Sequence, residues 1–189
     1  VIQLSDEVAP EIKGVDEVRR SEMNAPDELW RYIRLAEVEP PYVSLDIDML
    51  VMKDISEGFD SNYDAVLTER GRGKMSFNSG VFFVQKQRFV DECIRRIRNM
   101  PEKFHAWFGG QVAMDEIAHH ELAERNVPLE PLSPEEVARA KEFKIKSIPC
   151  EEWNNSNQIK PGGYKGARVL HFKGERKRHM KAAYENEMR

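Results

Sequence analysis

Cysteine is scarce in this chain. Only Cys93 and Cys150 occur among 189 residues. They lie far apart and lack zinc-ligand spacing, which excludes a disulfide framework and a cysteine-based zinc site. Such sparing use of cysteine fits a reducing compartment, so a cytoplasmic location is expected. Long apolar runs are also missing. No stretch approaches the roughly 18 apolar residues of a membrane span, and no secretory signal opens the chain. Val1 stands where a Met would begin a nascent chain, so processing or trimming upstream is expected. Internal repeats and low-complexity segments are absent.

What remains is a polar globular composition, 40% apolar and 33% charged, at a length suited to one domain with a real core over residues 1–189. The net charge of −4 is unevenly spread. Residues 1–60 hold fifteen Asp/Glu against six Lys/Arg, whereas residues 160–181 hold eight Lys/Arg against Glu175 alone. A basic segment at 160–189 facing an acidic half suits a polyanionic ligand with a bridging cation. Tyr164 and Phe172 would suit a nucleic-acid tail, but no nucleic-acid module motif is present, so nucleic acid is not the expected partner.

The pattern of elements predicts an α/β fold with a mixed sheet. Val1–Leu4 reads as a strand followed by an acidic loop. A helix over 27–38 is opened by Pro26, buries Leu29, Ile33 and Ala36, and is stopped by Pro40-Pro41. Strands are expected at Asp64–Thr68, Val81–Val84 and Val169–Phe172, with a polar loop Glu69–Ser76 carrying Arg70, Arg72 and Lys74. Helices are expected over 88–99 and 109–125. The capping box at Ser133 starts another, running to about Phe143.

Chemistry concentrates in Tyr42-Val43-Ser44-Leu45-Asp46-Ile47-Asp48-Met49-Leu50-Val51. A buried strand does not tolerate unpaired carboxylates, which places Asp46 and Asp48 at the strand's C-terminal end, where an open α/β sheet presents its crevice. Residues i and i+2 of an extended chain share a side, so the two carboxylates can converge on Mg²⁺ or Mn²⁺, whose commonest oxygen partner is a diphosphate. An Asp-x-Asp triplet alone also reads as a solvated turn or a helix cap. Three further motifs accompany it. Phe77-Asn78-Ser79-Gly80-Val81 sets short hydrogen-bonding groups before a buried strand, suited to hydroxyl-rich ligands. Phe108-Gly109-Gly110-Gln111 puts a glutamine at a helix start, where backbone N–H groups are free. His171-Phe172-Lys173-Gly174-Glu175-Arg176-Lys177 offers a metal-ligating imidazole, and Lys173 or Lys177 to neutralise a diphosphate. Taken singly, Asn78 reads as a turn cap, Gln111 as an ordinary first-turn helix residue and His171 as a core-edge histidine bonded to a carbonyl.

In this order and spacing the motifs resemble nucleotide-sugar glycosyltransferases of the GT-A fold, particularly the glycogenin-like and bacterial lipopolysaccharide galactosyltransferase-like group. The resemblance covers most of residues 28–177. It implies a GT-A-like mixed sheet flanked by helices, lacking the first strand. It also implies a metal-dependent, retaining hexosyltransferase acting on a nucleotide diphosphosugar and an acceptor hydroxyl. By resemblance, Asp46, Asp48 and His171 hold Mn²⁺ (or Mg²⁺), and Arg34, Gly174 and Lys177 contact the donor and its diphosphate. Asn78 and Gln111 are the catalytic candidates beside the sugar. The family usually has an acidic residue beside the glutamine, where this chain has Gly110, and base recognition has no visible source. Two alternatives stay open: an inactive nucleotide- or partner-binding module, and a metal-dependent nucleotidyl or phosphoryl transferase.

Overall fold

The computed structural model describes residues 1–70, 76–119, 131–156 and 166–187. Arg72 and Lys74 of the expected polar loop, the expected end of helix 109–125, and Lys160, Tyr164 and Lys165 of the basic segment lie outside the described residues. The chain opens with β1 (Ile2–Ser5) and β2 (Glu17–Arg20), which pair in parallel. The predicted acidic loop therefore contains a second strand, hidden because Glu17-Val18-Arg19-Arg20 is polar. Helix α1 (Asp27–Leu35) follows, then β3 (Tyr42–Leu45), β4 (Met49–Val51), β5 (Ala65–Glu69) and β6 (Phe77–Val84). After α2 (Gln87–Asn99), α3 (Lys103–Ala106), α4 (Gly109–His119) and α5 (Pro134–Ala140) come β7 (Ile145–Pro149), α6 (Cys150–Trp153), β8 (Val169–His171) and α7 (Met180–Glu187).

A four-stranded mixed sheet runs β3-β6-β5-β7, with only the β5–β7 pair parallel. Strand β6 is buried along its whole length because both faces are covered. Phe82 and Val84 pack with Leu29, Tyr32 and Leu35 of α1 and with apolar residues of α2 and α4. Val81 and Phe83 face the other way, onto Met49, Trp153 and Val169. The buried stripe of α1 is Leu29, Tyr32 and Leu35, with Ile33 and Ala36 only half-buried. That stripe is rotated from the predicted one, because the Tyr32 ring stacks on Phe82. The α5 capping box forms in both directions, Glu136 N–H to Ser133 Oγ and Ser133 N–H to Glu136 Oε2.

Two departures from regular pairing build the site. Leu67 pairs with Phe82 and Glu69 with Phe77, so two steps along β5 face five along β6. The excess backbone around Asn78-Ser79-Gly80 bulges, and bulges re-aim side chains beside functional sites. The Thr68 hydroxyl occupies the gap, 2.9 Å from the carbonyls of both Asn78 and Val81. The second departure is the passage from β3 to β4. Strand β4 belongs to a separate antiparallel pair with β8, so the chain changes sheets between Leu45 and Met49. Among the described residues no helix is long and apolar enough to cross a membrane.

Candidate metal site

Asp46 and Asp48 occupy that change of sheet, and each is fixed from a different side. Asp46 N–H donates to the Gly80 carbonyl of β6 at 3.0 Å, and the Asp48 carbonyl accepts from Phe172 N–H, just past β8, at 2.8 Å. The intervening Ile47 points outward and is 82% exposed. The pairing of Met49 with His171 then sets the imidazole beside the second aspartate. His171 Nε2 lies 3.2 Å from Asp48 Oδ1 and 3.6 Å from Asp46 Oδ2. One ligand atom from each of the three residues falls within 4.8 Å of the others.

Gly80 makes this approach possible. A Cβ at position 80 would lie 2.6 Å from His171 Cε1 and 2.6 Å from the Met49 terminal methyl. On the far side of the ring, His171 Nδ1 is 2.8 Å from Asn154 Oδ1. Asn154 Nδ2 is engaged with Thr68 Oγ1 at 3.1 Å and with the Asn78 carbonyl at 3.4 Å. The amide oxygen is therefore the acceptor, which assigns the ring proton to Nδ1 and leaves the Nε2 lone pair facing the aspartates. Burial and then the nearby charge of Lys173 lower the His171 pKa to about 4, against the opposite pull of Asp46 and Asp48. The ring is neutral at neutral pH. Two carboxylate oxygens and an imidazole lone pair thus converge with no hydrogen to share, a donor set that fits a divalent cation.

Cations stand on the outer edges of this set. Lys177 Nζ lies 3.2 Å from Asp48 Oδ2, and Arg31 Nη2 lies 3.0 Å from Asp46 Oδ1. Arg31 also donates to Ser79 O at 2.8 Å and Ser44 Oγ at 3.1 Å. Gly174 adopts a positive φ of 57°, a left-handed turn that favours glycine. That turn carries the chain from β8 into the 3₁₀ segment bearing Lys177. Asn78 is joined to the same region through its Oδ1, which accepts from Lys173 Nζ and from Gly80 N–H, both at 3.2 Å.

Two predicted residues sit elsewhere. Arg34 does not face the aspartates: its guanidinium is held by Glu37 and by the Arg19 carbonyl of β2. The basic residue that does is Arg31, one turn earlier, because the buried stripe of α1 is rotated. Gln111 lies in the first turn of α4, with Oε1 buried and without a hydrogen-bond partner among the described residues. No contact joins it to the three ligands. Its neighbour Gly110 has no space for a side chain, since a Cβ there would lie 2.4 Å from Tyr32 Cε2 and 2.5 Å from Glu28 Oε1. A carboxylate nonetheless reaches this place. Glu28 Oε1 accepts Gly110 N–H at 3.2 Å, and burial, partly offset by Arg31, raises the Glu28 pKa. Glu28, Arg31, Thr68 and Asn154 were not picked out by sequence reasoning. Each is placed by packing between distant segments, and only the one-turn offset of Arg31 from Arg34 left a sequence signal.

Asn154→Ala is expected to weaken divalent-metal binding by about 10- to 100-fold, the usual effect of losing the group that orients a ligating imidazole. Calorimetric titration with Mn²⁺ checks this, and unchanged affinity would remove Asn154 from the ligand's support.

The chain matches no protein-family model and no curated protein. In three dimensions it is similar to the crystal structure of a glycosyltransferase involved in the glycosylation of the major capsid of PBCV-1. The TM-score is 0.58 at 15% identity, covering 96% of this chain and 98% of that one. At that identity the likeness establishes a shared fold.

Proposed function

We propose that the protein is a metal-dependent glycosyltransferase that moves a hexosyl group, with retention, from a nucleotide diphosphosugar to an acceptor hydroxyl. The observation that carries this reading is the convergence of Asp46, Asp48 and the His171 Nε2 lone pair, in a fold shared with a glycosyltransferase. These three residues would hold Mn²⁺ or Mg²⁺, and such an ion, when bound, stabilises negative charge on a departing diphosphate as a Lewis acid. Lys177, half-exposed beside Asp48, extends the positive field toward the same phosphates, with the backbone of Gly174 leading to it. Arg31 fixes the outer oxygen of Asp46 and so keeps the inner one turned to the cation. Asn78 offers an amide donor for sugar hydroxyls, and Gln111, farther along α4, would reach them only if its buried amide turned outward.

The rival reading of an inactive binding module rests on Gly110, which stands where an acidic residue is usual, and on the missing first strand. Glu28, bonded to the Gly110 amide, supplies a carboxylate at that place and weakens that objection. The test is a thermal-shift and hydrolysis screen of nucleotide sugars with and without Mn²⁺, with nucleoside triphosphates alongside. Stabilisation that needs both metal and nucleotide sugar, with slow donor hydrolysis, is expected. Binding without any hydrolysis would favour the module, and turnover of triphosphates alone would favour a nucleotidyl or phosphoryl transferase.

Lys177→Ala is expected to lower affinity for a nucleoside diphosphate by about 1–2 kcal/mol, a charge-assisted contact discounted for its exposure. Affinity for the nucleoside should hardly change. Equal losses for the two ligands in calorimetry would take Lys177 away from the phosphates.

A further inference from the structure

Beside the metal ligands, on the Nδ1 side of His171, lies a small cleft of ≈ 100 Å³ lined by Arg70, Asn78, Asn154, Ser156 and, at its exposed rim, Glu151. The volume is below the roughly 300–1,000 Å³ of pockets that enclose whole ligands, so it accommodates a substituent or a single ring. Asn78 is only 3% exposed. Its Oδ1 is used by Gly80 and Lys173, which leaves its NH₂ without a partner among the described residues. Asn154 spends its oxygen on His171 and its NH₂ on Thr68. The Arg70 guanidinium makes no ion pair or side-chain hydrogen bond among the described residues, and Glu151 does not bridge to it. Behind Asn78 stands Lys173, whose Nζ donates to Asn78 Oδ1 at 3.2 Å. The Arg70 guanidinium and the spare Asn78 NH₂ thus face one small space, with Lys173 behind Asn78 and, among the described lining residues, a carboxylate only at the rim. A guanidinium without a counter-ion gains from an anion brought beside it.

We propose that this cleft binds the negatively charged substituent of a saccharide, a carboxylate or a phosphate, through Arg70 and the Asn78 amide with Lys173 behind them. That the anion is carried by a saccharide rests on the glycosyltransferase reading; that an anion is bound rests on the cleft alone. A guanidinium matches either oxyanion with paired N–H donors. The anionic group therefore belongs either to the transferred sugar or to the acceptor.

The test compares D-glucuronate and D-glucose 6-phosphate with D-glucose, by NMR titration of the Mg²⁺-loaded protein and of Arg70→Gln. Both anionic sugars should bind at least about tenfold tighter than glucose (~1.4 kcal/mol), shifting the Arg70 and Asn78 side-chain signals. Arg70→Gln, at an exposed position, should erase that preference without loss of fold. A second arm separates the sources with pairs of uridine and guanosine diphosphosugars, glucuronate against glucose and mannuronate against mannose. A tenfold preference for the uronates places the anion on the transferred sugar. No preference there, with free glucuronate still binding beside bound nucleoside diphosphate, places it on the acceptor. Glucose binding as tightly as the anionic sugars, no binding of either anionic sugar, or an unchanged Arg70→Gln variant would overturn the proposal. Anionic sugar binding without any nucleotide diphosphosugar binding would leave the cleft standing and defeat the glycosyltransferase reading instead.

Discussion

Asp48→Asn is expected to abolish divalent-metal binding while leaving the apo protein as stable as the parent. Asp48 is the best placed of the three ligands, with Oδ1 3.2 Å from His171 Nε2 and its side chain mostly buried. An amide keeps the volume but removes the charge that a hard cation requires. The loss of metal affinity should exceed the roughly 10- to 100-fold typical of a supporting residue. Stability of the apo form should barely move, because the pair lost with Lys177 is half-exposed and such pairs are worth about 0–1 kcal/mol. The backbone of Asp48, which accepts from Phe172 N–H, is untouched. Removing one of two carboxylates that face the same lone pair also relieves repulsion. The contrast emerges when Mn²⁺ is added. A ligand at a hundred times its Kd stabilises by about 2.7 kcal/mol, which at this chain length raises Tm by roughly 5–10 °C. The parent should show that rise and the variant should show none. A variant that retained a metal-dependent rise would sink the metal assignment.

Why this aspartate pair was legible and its partners were not follows from where the information lies. Apolar residues flank Asp46 and Asp48 on both sides, a pattern that reads as buried chain, in which two carboxylates have few uses besides charge chemistry, although Leu45, Ile47 and Val51 are exposed in the fold. The pattern could not reveal that β3 and β4 belong to different sheets, although that is what pins each aspartate from its own side. The helix before it was legible as a helix, but its rotation was not. Leu29, Ile33 and Ala36 make as regular a stripe as Leu29, Tyr32 and Leu35, and only the stacking of Tyr32 on Phe82 decides between them. That rotation turns Arg31 toward Asp46 and Arg34 toward β2. Gly110 stands where the resemblance implies an acidic group, yet its bare Cα is what lets Glu28 reach the helix start from 82 residues away. Asn154 left no signal at all, since its role is set by the bulge that brings Thr68 and Asn78 to it. Short polar strands such as β2 were hidden for the same reason: the pairing partner, not the composition, makes them strands.

Arg96→Ala should have the opposite signature, a large loss of stability with the metal site intact in molecules that remain folded. Arg96 is fully buried in α2 and joins three helices. Its Nε donates to Glu92 Oε1 at 2.8 Å, its Nη1 to Glu116 Oε2 of α4 at 3.0 Å, and its Nη2 to the Glu136 carbonyl of α5 at 3.2 Å. Glu92 and Glu116 are themselves almost wholly buried. Burial works to raise the Glu92 pKa, yet the contacts with Arg95 and Arg96 outweigh it and hold the carboxyl below its usual range. Taking away the guanidinium leaves two buried carboxylates without the cation they share, although Glu92 keeps its two bonds to Arg95. Breaking a buried pair from one side typically costs about 3–5 kcal/mol, a large part of the 5–15 kcal/mol that holds a domain folded. For a chain of this length the fall in Tm is roughly 6–20 °C. Because Glu92 is depressed, its share of the stability is present above the ordinary carboxylate pKa and fades as pH falls through its lowered value. The difference between parent and variant should therefore narrow in acid. The aspartates are fixed by β6 and β8 rather than by α2, α4 or α5, so Mn²⁺ affinity measured well below Tm should match the parent. Urea unfolding at pH 7 and pH 4 supplies the measurement. A loss of less than about 1 kcal/mol at pH 7 would mean that water or Arg95 takes over the carboxylates, and that the network does not clamp the helices.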